Sequence, residues 1–174
     1  MRVCHLSSVH RALDNRVFYR EARTLAGAGH DVTLIAVHDR DEMRDGVRIM
    51  GLPDVARWRR PGVWRAVARR ARETNADLYH FHDPELLFVV PLLARRTGRP
   101  TIYDVHEAYP AVFAVTDYLP AWLRDPTAAS LRVLEPRRAG GCDALGFAED
   151  VTPDAGSRGR RPPGVLPNYP DPSL

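Results

Sequence analysis

Residues 2–37 read RVCHLSSVHRALDNRVFYREARTLAGAGHDVTLIAV, and their pattern decides the architecture. Arg2 to Leu6 is a short apolar run suited to a buried first strand. Arg16 to Ala28 carries Phe18, Ala22 and Leu25 at helical spacing, with Asp14 or Asn15 placed to cap its start and Gly27 and Gly29 to end it. Asp31 to Val37 is rich in β-branched residues and predicts a second strand. Strand, helix and strand in so short a span imply a right-handed parallel crossover.

The alternation continues outward from that unit. Ser7 to Asn15 reads as a polar loop and His38 to Gly46 as a charged one. Strands are expected at Val47–Met50, Leu78–Phe81, Pro100–Val105 and Asp143–Phe147, and helices at Pro61–Thr74, Pro84–Arg96 and Ala121–Ala139. Pro126 and Pro136 should lie near the ends of that last helix or kink it. Gly156 to Gly164 is linker-like, and Val165-Leu166 reads as a last short strand before a Pro-rich tail. The expected fold is α/β: a Rossmann-like, doubly wound, mainly parallel sheet with helices on both faces. It should occupy residues 1–155, with 156–174 as a tail.

Bulk properties bound the function. A chain of 174 residues buries one core, and 44% apolar residues exclude wholesale disorder. A formal charge of +3 is too modest to argue for nucleic acid. All 25 basic residues are arginine, which excludes lysine-based chemistry and leaves a cation suited to phosphate and carboxylate. Cys4 and Cys142 are too few for a disulfide scaffold and read as buried thiols in a reducing cytosol. The longest apolar run, Leu86 to Ala94, is far shorter than a membrane span. A cytoplasmic location follows, with surface association at most. Arg65, Arg69 and Arg72 share one helix face, with Val63, Val67 and Ala71 on another. The Arg57–Arg72 region is either a solvated face or a contact for anionic lipid at the inner membrane.

Chemistry concentrates where strands should end. The clusters are Tyr79-His80-Phe81-His82-Asp83-Pro84-Glu85 and Ile102-Tyr103-Asp104-Val105-His106-Glu107. In parallel α/β sheets ligands bind beyond the carboxyl ends of the strands. His80 and His82 alternate on a strand and so share a face. His82-Asp83 suits ligand recognition at the rim, while Pro84 and Glu85 also make a good helix start. His106 can donate to a phosphate or a sugar hydroxyl and titrate near neutrality. A metal reading would gather His80, His82, Asp83 and His106 into a small metallohydrolase, but no HExxH-type spacing supports it. The loop from Ser7 to Arg16 lies where such folds place phosphates, yet it lacks GxGxxG. Arg16 would meet an anionic group or pair with Asp14 at the surface.

Taken in order, HLSSVHRALDNRVFYREARTLAGAGHDVTLIA, YHFHDPELL, IYDVHE and the closing PNYPD resemble a subgroup of glycosyltransferase family 4. The resemblance runs over nearly the whole chain. It implies one half of a GT-B fold, the acceptor-side domain, facing a donor-binding domain across a cleft. It implies retaining transfer from a nucleotide-sugar donor to a sugar or lipid-linked acceptor, with no cofactor and no required metal. By the same resemblance His106 is the cleft histidine that meets the donor sugar, and the catalytic residue of this half. Ser7, Ser8, Asp14, Arg16, His82, Asp83, Glu85 and Glu107 match substrate-binding motif positions. Ser7 and Ser8 stand where many relatives carry glycines near the diphosphate. The family's Glu-x7-Glu donor motif is absent from this sequence. The chain is therefore expected to be inactive alone. The alternative is a stand-alone, non-catalytic module that binds a donor-domain protein or a glycan.

Overall fold

The structure is a computed structural model and describes residues 1–106, 114, 116, 120–147, 160–162 and 164–165. Among the described residues eight strands form one sheet in the order β3-β4-β2-β1-β5-β6-β7-β8. They are β1 (Arg2–Arg11), β2 (Asp31–Val37), β3 (Glu42–Arg44), β4 (Val47–Leu52), β5 (Leu78–Phe81), β6 (Thr101–Val105), β7 (Ala144–Phe147) and β8 (Gly164–Val165). All pairings are parallel except β3 with β4. The order reverses at β1, the first strand. That is the topological switch point where an open sheet leaves a crevice.

Helices cover both faces. A π-helical turn, Asn15–Ala22, runs into α1 (Arg23–Gly27). α2 is Arg60–Glu73, α3 is Val90–Thr97 and α4 is Ala121–Ala139. Strand alternation sorts the side chains. On one face Cys4, Leu6, Tyr79, Phe81, Tyr103 and Leu145 join Val63, Val67 and Ala71 of α2 in the larger core. On the other, Val32, Leu34, Val47 and Ile49 pack against Val17, Phe18 and Ala22. That second apolar patch covers only the β2–β4 half. On the β1–β5–β6 half, His5, His80 and Asp104 point to the same side and are buried. A buried polar face of this kind has to satisfy itself internally.

Several expectations need correction. The segment Ser7–Asn15 is not wholly loop, because β1 continues to Arg11. Its regular pairing stops at Leu6 and resumes only at Arg11↔Val37, so Ser7 to His10 bulge over the rim. The charged loop His38–Gly46 contains β3. Asp45 and Gly46 both hold positive φ, which makes the two-residue turn of a β-hairpin. The helix expected at Pro84–Arg96 opens as a 3-10 turn, Pro84–Phe88, before α3. Pro126 and Pro136 both lie within α4. None of the described helices is long and apolar enough to cross a membrane.

Candidate functional site

Asp83 follows β5 and organises the rim. Its Oδ2 accepts the Ser8 backbone N–H at 2.6 Å, the Ser7 hydroxyl at 2.9 Å and the Val9 N–H at 3.2 Å. Its Oδ1 meets His10 Nδ1 at 3.0 Å. Burial alone would raise this carboxyl, but His10 and the Ser8 and Ser7 donors hold it below the usual carboxylate range. Ser7 Oγ also accepts the His10 N–H at 2.8 Å. The Ser8 hydroxyl donates to Glu85 Oε1 at 2.6 Å, and Trp64 Nε1 donates to the same oxygen at 2.9 Å. Ser7 and Ser8 are both buried, so their hydroxyls lock the bulge of β1 onto the end of β5.

The π-helical turn builds the second part. Asp14 caps it, accepting from Arg16 N at 2.8 Å and Val17 N at 3.0 Å. Arg16 is buried rather than at the surface. Its Nε donates to Asp104 Oδ2 at 2.9 Å and its Nη2 to Asp104 Oδ1 at 3.0 Å, a bidentate pair. Arg16 Nε also lies 3.2 Å from Glu21 Oε1. Residues five apart line up because the turn is π rather than α. Gly146 makes room for Asp104: a Cβ there would sit 2.8 Å from Asp104 Oδ1.

The third part is a chain of imidazoles. His5 Nδ1 lies 3.2 Å from His82 Nε2, and His82 Nδ1 lies 3.1 Å from His106 Nε2. His106 Nε2 is 3.1 Å, and His82 Nδ1 3.5 Å, from Asp104 Oδ2. Burial would raise Asp104, but hydrogen bonds with His106 and His82 hold it far below the carboxylate range. Burial and the neighbouring His82 bring His5 down to about 3, and burial also lowers His80 and His82. Burial and Asp104 push Glu21 up to about 9. His106 is the partly accessible end of the chain, its side chain 11% exposed. The His10 ring stands 5.1 Å from it, centroid to centroid.

Ser7 thus meets Asp83, and His82 meets His106, through hydrogen bonds at the ends of β5 and β6, and with the His10 ring standing between the two groups they make one polar edge. Asp14 and Arg16 join it from the helical turn, and Glu85 from the helix start. Glu107 lies outside the described residues. The metal grouping weighed from sequence does not assemble as named, because Asp83 turns to the serines while His80 and His82 turn to His5 and Glu21. Sequence reading missed His5, His10 and Glu21. His5 opposes His80 only through the β1–β5 register. The arrangement offers an orientated, partly accessible imidazole backed by a buried carboxylate; Arg11, Ala12, Val37, His38 and Pro53 line an open cleft at the carboxyl ends of β1, β2 and β4. Such an edge can hydrogen-bond hydroxyls and anionic oxygens.

The comparisons with known proteins agree with this architecture. The model of Glycosyltransferase Family 4 matches residues 15–145. No curated protein matches the chain in sequence. Sucrose-phosphate synthase from Thermosynechococcus elongatus superimposes with a TM-score of 0.68 at 14% identity, covering 95% of this chain and 47% of that one. Phytolacca americana UGT2, complexed with UDP-2fluoro-glucose and pterostilbene, gives 0.59 at 12% identity, covering 97% and 53%. Glycyrrhiza uralensis UGT73P12, complexed with glycyrrhetinic acid 3-O-monoglucuronide, gives 0.55 at 15% identity, covering 85% and 43%. The chain spans about half the length of each of these structures.

Proposed function

From the premise that the chain belongs to glycosyltransferase family 4, we propose that it is the acceptor-side half of a retaining glycosyltransferase, inactive without a donor-binding domain. One observation carries the reading. The partly exposed His106 stands at the switch-point crevice and is fixed by Asp104, which Arg16 clamps from behind. His106 contacts the donor sugar, and the cleft beside Arg11 and Val37 receives the acceptor. Asp14, Arg16, Asp83 and Glu85 act mainly by holding that edge, with Ser7, Ser8 and His82 completing it. Glu107 is proposed as a substrate contact on its motif position. Residues 156–174 lead toward the donor domain. The solved Phytolacca americana relative carries a nucleotide-sugar analogue, which supports a nucleotide-sugar donor. Transfer then depends on positioning and electrostatics across a closed cleft, so one wall alone gives little rate.

The test mixes the purified chain with radiolabelled nucleotide sugars and lipid or glycan acceptors, with and without a donor-domain polypeptide from the same source. Transfer is expected only when both halves are present. His106→Ala should lower kcat by roughly 100-fold or more with little change in acceptor affinity. Turnover by the 174-residue chain alone would refute the half-site reading, and an unchanged kcat for the alanine variant would refute the role of His106.

We also propose a cytoplasmic location with peripheral contact to the inner membrane face through the Arg57–Arg72 region. Arg65, Arg69 and Arg72 are exposed on α2, and Trp58 beside it is 77% exposed with the Arg59 guanidinium over its ring. Flotation with anionic liposomes at low salt should carry the protein upward. Failure to float, or equal flotation with neutral liposomes, removes this part.

A further inference from the structure

We propose that His5, His80, His82 and Glu21 form a structural site for a divalent transition metal of the zinc class, set behind the rim. Glu21 Oε2 lies 3.8 Å from His5 Nδ1, 3.7 Å from His80 Nδ1 and 3.8 Å from His82 Nε2. His5 Nδ1 and His82 Nε2 are 3.2 Å apart. One ligand atom from each of the four residues lies within 4.8 Å of the others. A tetrahedron with zinc–nitrogen bonds of about 2.05 Å has edges of about 3.3 Å, so the His5–His82 edge already fits, while Glu21 and His80 must draw inward to close the cage. Three imidazoles and a carboxylate are ligands zinc accepts.

The apolar alternative, four polar groups packed for stability alone, leaves too much unmet. Both Glu21 oxygens are buried without a hydrogen-bond partner, with Oε1 facing the Arg16 guanidinium at 3.2 Å; His5 Nε2 and His80 Nε2, the ring nitrogens turned away from the cage, are also unpartnered and would be left so by an ion bound at Nδ1. Such groups are rare in folded proteins and each carries a desolvation penalty. A cation in the cage ionises the carboxylate and binds neutral imidazoles, which removes the penalty at Glu21 directly. The ligands come from β1, β5 and its end, and the π-helical turn, so the ion would tie three elements together. Four protein ligands leave no open position, which is the mark of a structural rather than a catalytic site.

The site also bears on the rim. Metal on His82 Nε2 makes Nδ1 the protonated nitrogen, and Nδ1 faces His106 Nε2 at 3.1 Å and Asp104 Oδ2 at 3.5 Å. A ligating imidazole that donates its other N–H to a carboxylate or a neighbour is the usual second contact of such sites. The ion would therefore set the tautomer of His82, and through it the orientation of His106.

The experiment uses the whole chain and does not depend on sugar transfer. Metal content is measured on protein purified without a histidine tag. The metal-free protein is then titrated with zinc and, separately, with cobalt. One equivalent is expected to bind, with the intense visible absorption of tetrahedral cobalt. Zinc at about 100 times its Kd should raise Tm by roughly 5–10 °C. Glu21→Gln and His80→Ala should weaken cobalt binding at least about 10-fold, while His30→Gln, in the turn before β2, should not. Circular dichroism reports whether each variant folds, and the wild-type cobalt spectrum decides the matter if one does not. Substoichiometric binding, a weak octahedral spectrum, or equal affinity in folded Glu21→Gln would each overturn the site.

Discussion

Replacing Arg16 with methionine tests the reasoning at its most buried contact. The Arg16 side chain is 10% exposed and Asp104 is fully buried, joined by a bidentate pair at 2.9 and 3.0 Å. Arg16→Met keeps much of the apolar volume but leaves a buried carboxylate without its cation. Breaking a buried pair from one side costs about 3–5 kcal/mol. His106 and His82 still face Asp104, so the lower end of that range, about 3 kcal/mol, is expected. For a chain of this length that corresponds to a fall in Tm of roughly 6–12 °C. Asp104→Asn in the same background removes the unpaired charge and should recover more than half of the loss. Urea unfolding followed by far-UV circular dichroism measures all three proteins at one pH and salt. An Arg16→Met cost below about 1 kcal/mol, or no recovery in the double variant, would refute the claim that this pair is buried and coupled.

Gly146→Ala should cost about 1–3 kcal/mol, because the new Cβ would meet Asp104 Oδ1 at 2.8 Å and that carboxylate is pinned by Arg16; urea unfolding checks it, and a neutral result would mean Asp104 moves freely. Burial pushes the Cys4 thiol up to about 12 and Cys142 to about 11, so neither should react with a thiol reagent in the native state and both should react after denaturation. Burial raises Glu135, which accepts the Tyr103 hydroxyl at 2.8 Å, above its ordinary 4.5. A carboxyl raised by folding is bound to its proton more tightly in the native state, so its contribution is whole below 4.5 and is lost as pH rises through the raised value. Glu135→Gln should flatten the decline in stability above pH 4.5, measured by thermal unfolding across that range.

Much of the fold is legible in the chain because its signals are local. Asp31–Val37, Leu78–Phe81 and Ala121–Ala139 fall where residue periodicity puts them, since burial of one face imposes a spacing that neighbours in sequence record. The β3–β4 hairpin was also written locally, in Asp45-Gly46, but a run of charges obscured it. The strand-end clusters marked the rim for the same reason: ionisable residues gathered at the end of an apolar run stand out against strands that otherwise read as continuous apolar stretches.

What the sequence by itself determined is the order of the main elements and the edge on which chemistry would gather. Only the tertiary structure decided which polar groups meet. His5 faces His80 through the β1–β5 register, and that pairing is a property of two strands seventy residues apart. Glu21 reaches the cluster because Asn15–Ala22 winds as a π-helical turn, placing it over Arg16 at a spacing that helical periodicity does not anticipate. Asp104 is a buried anion because Gly146 on the next strand leaves it space and Arg16 supplies its cation. Local propensity acts over a few residues, whereas the energy of a buried charge depends on every group within several ångströms, whatever its place in the chain.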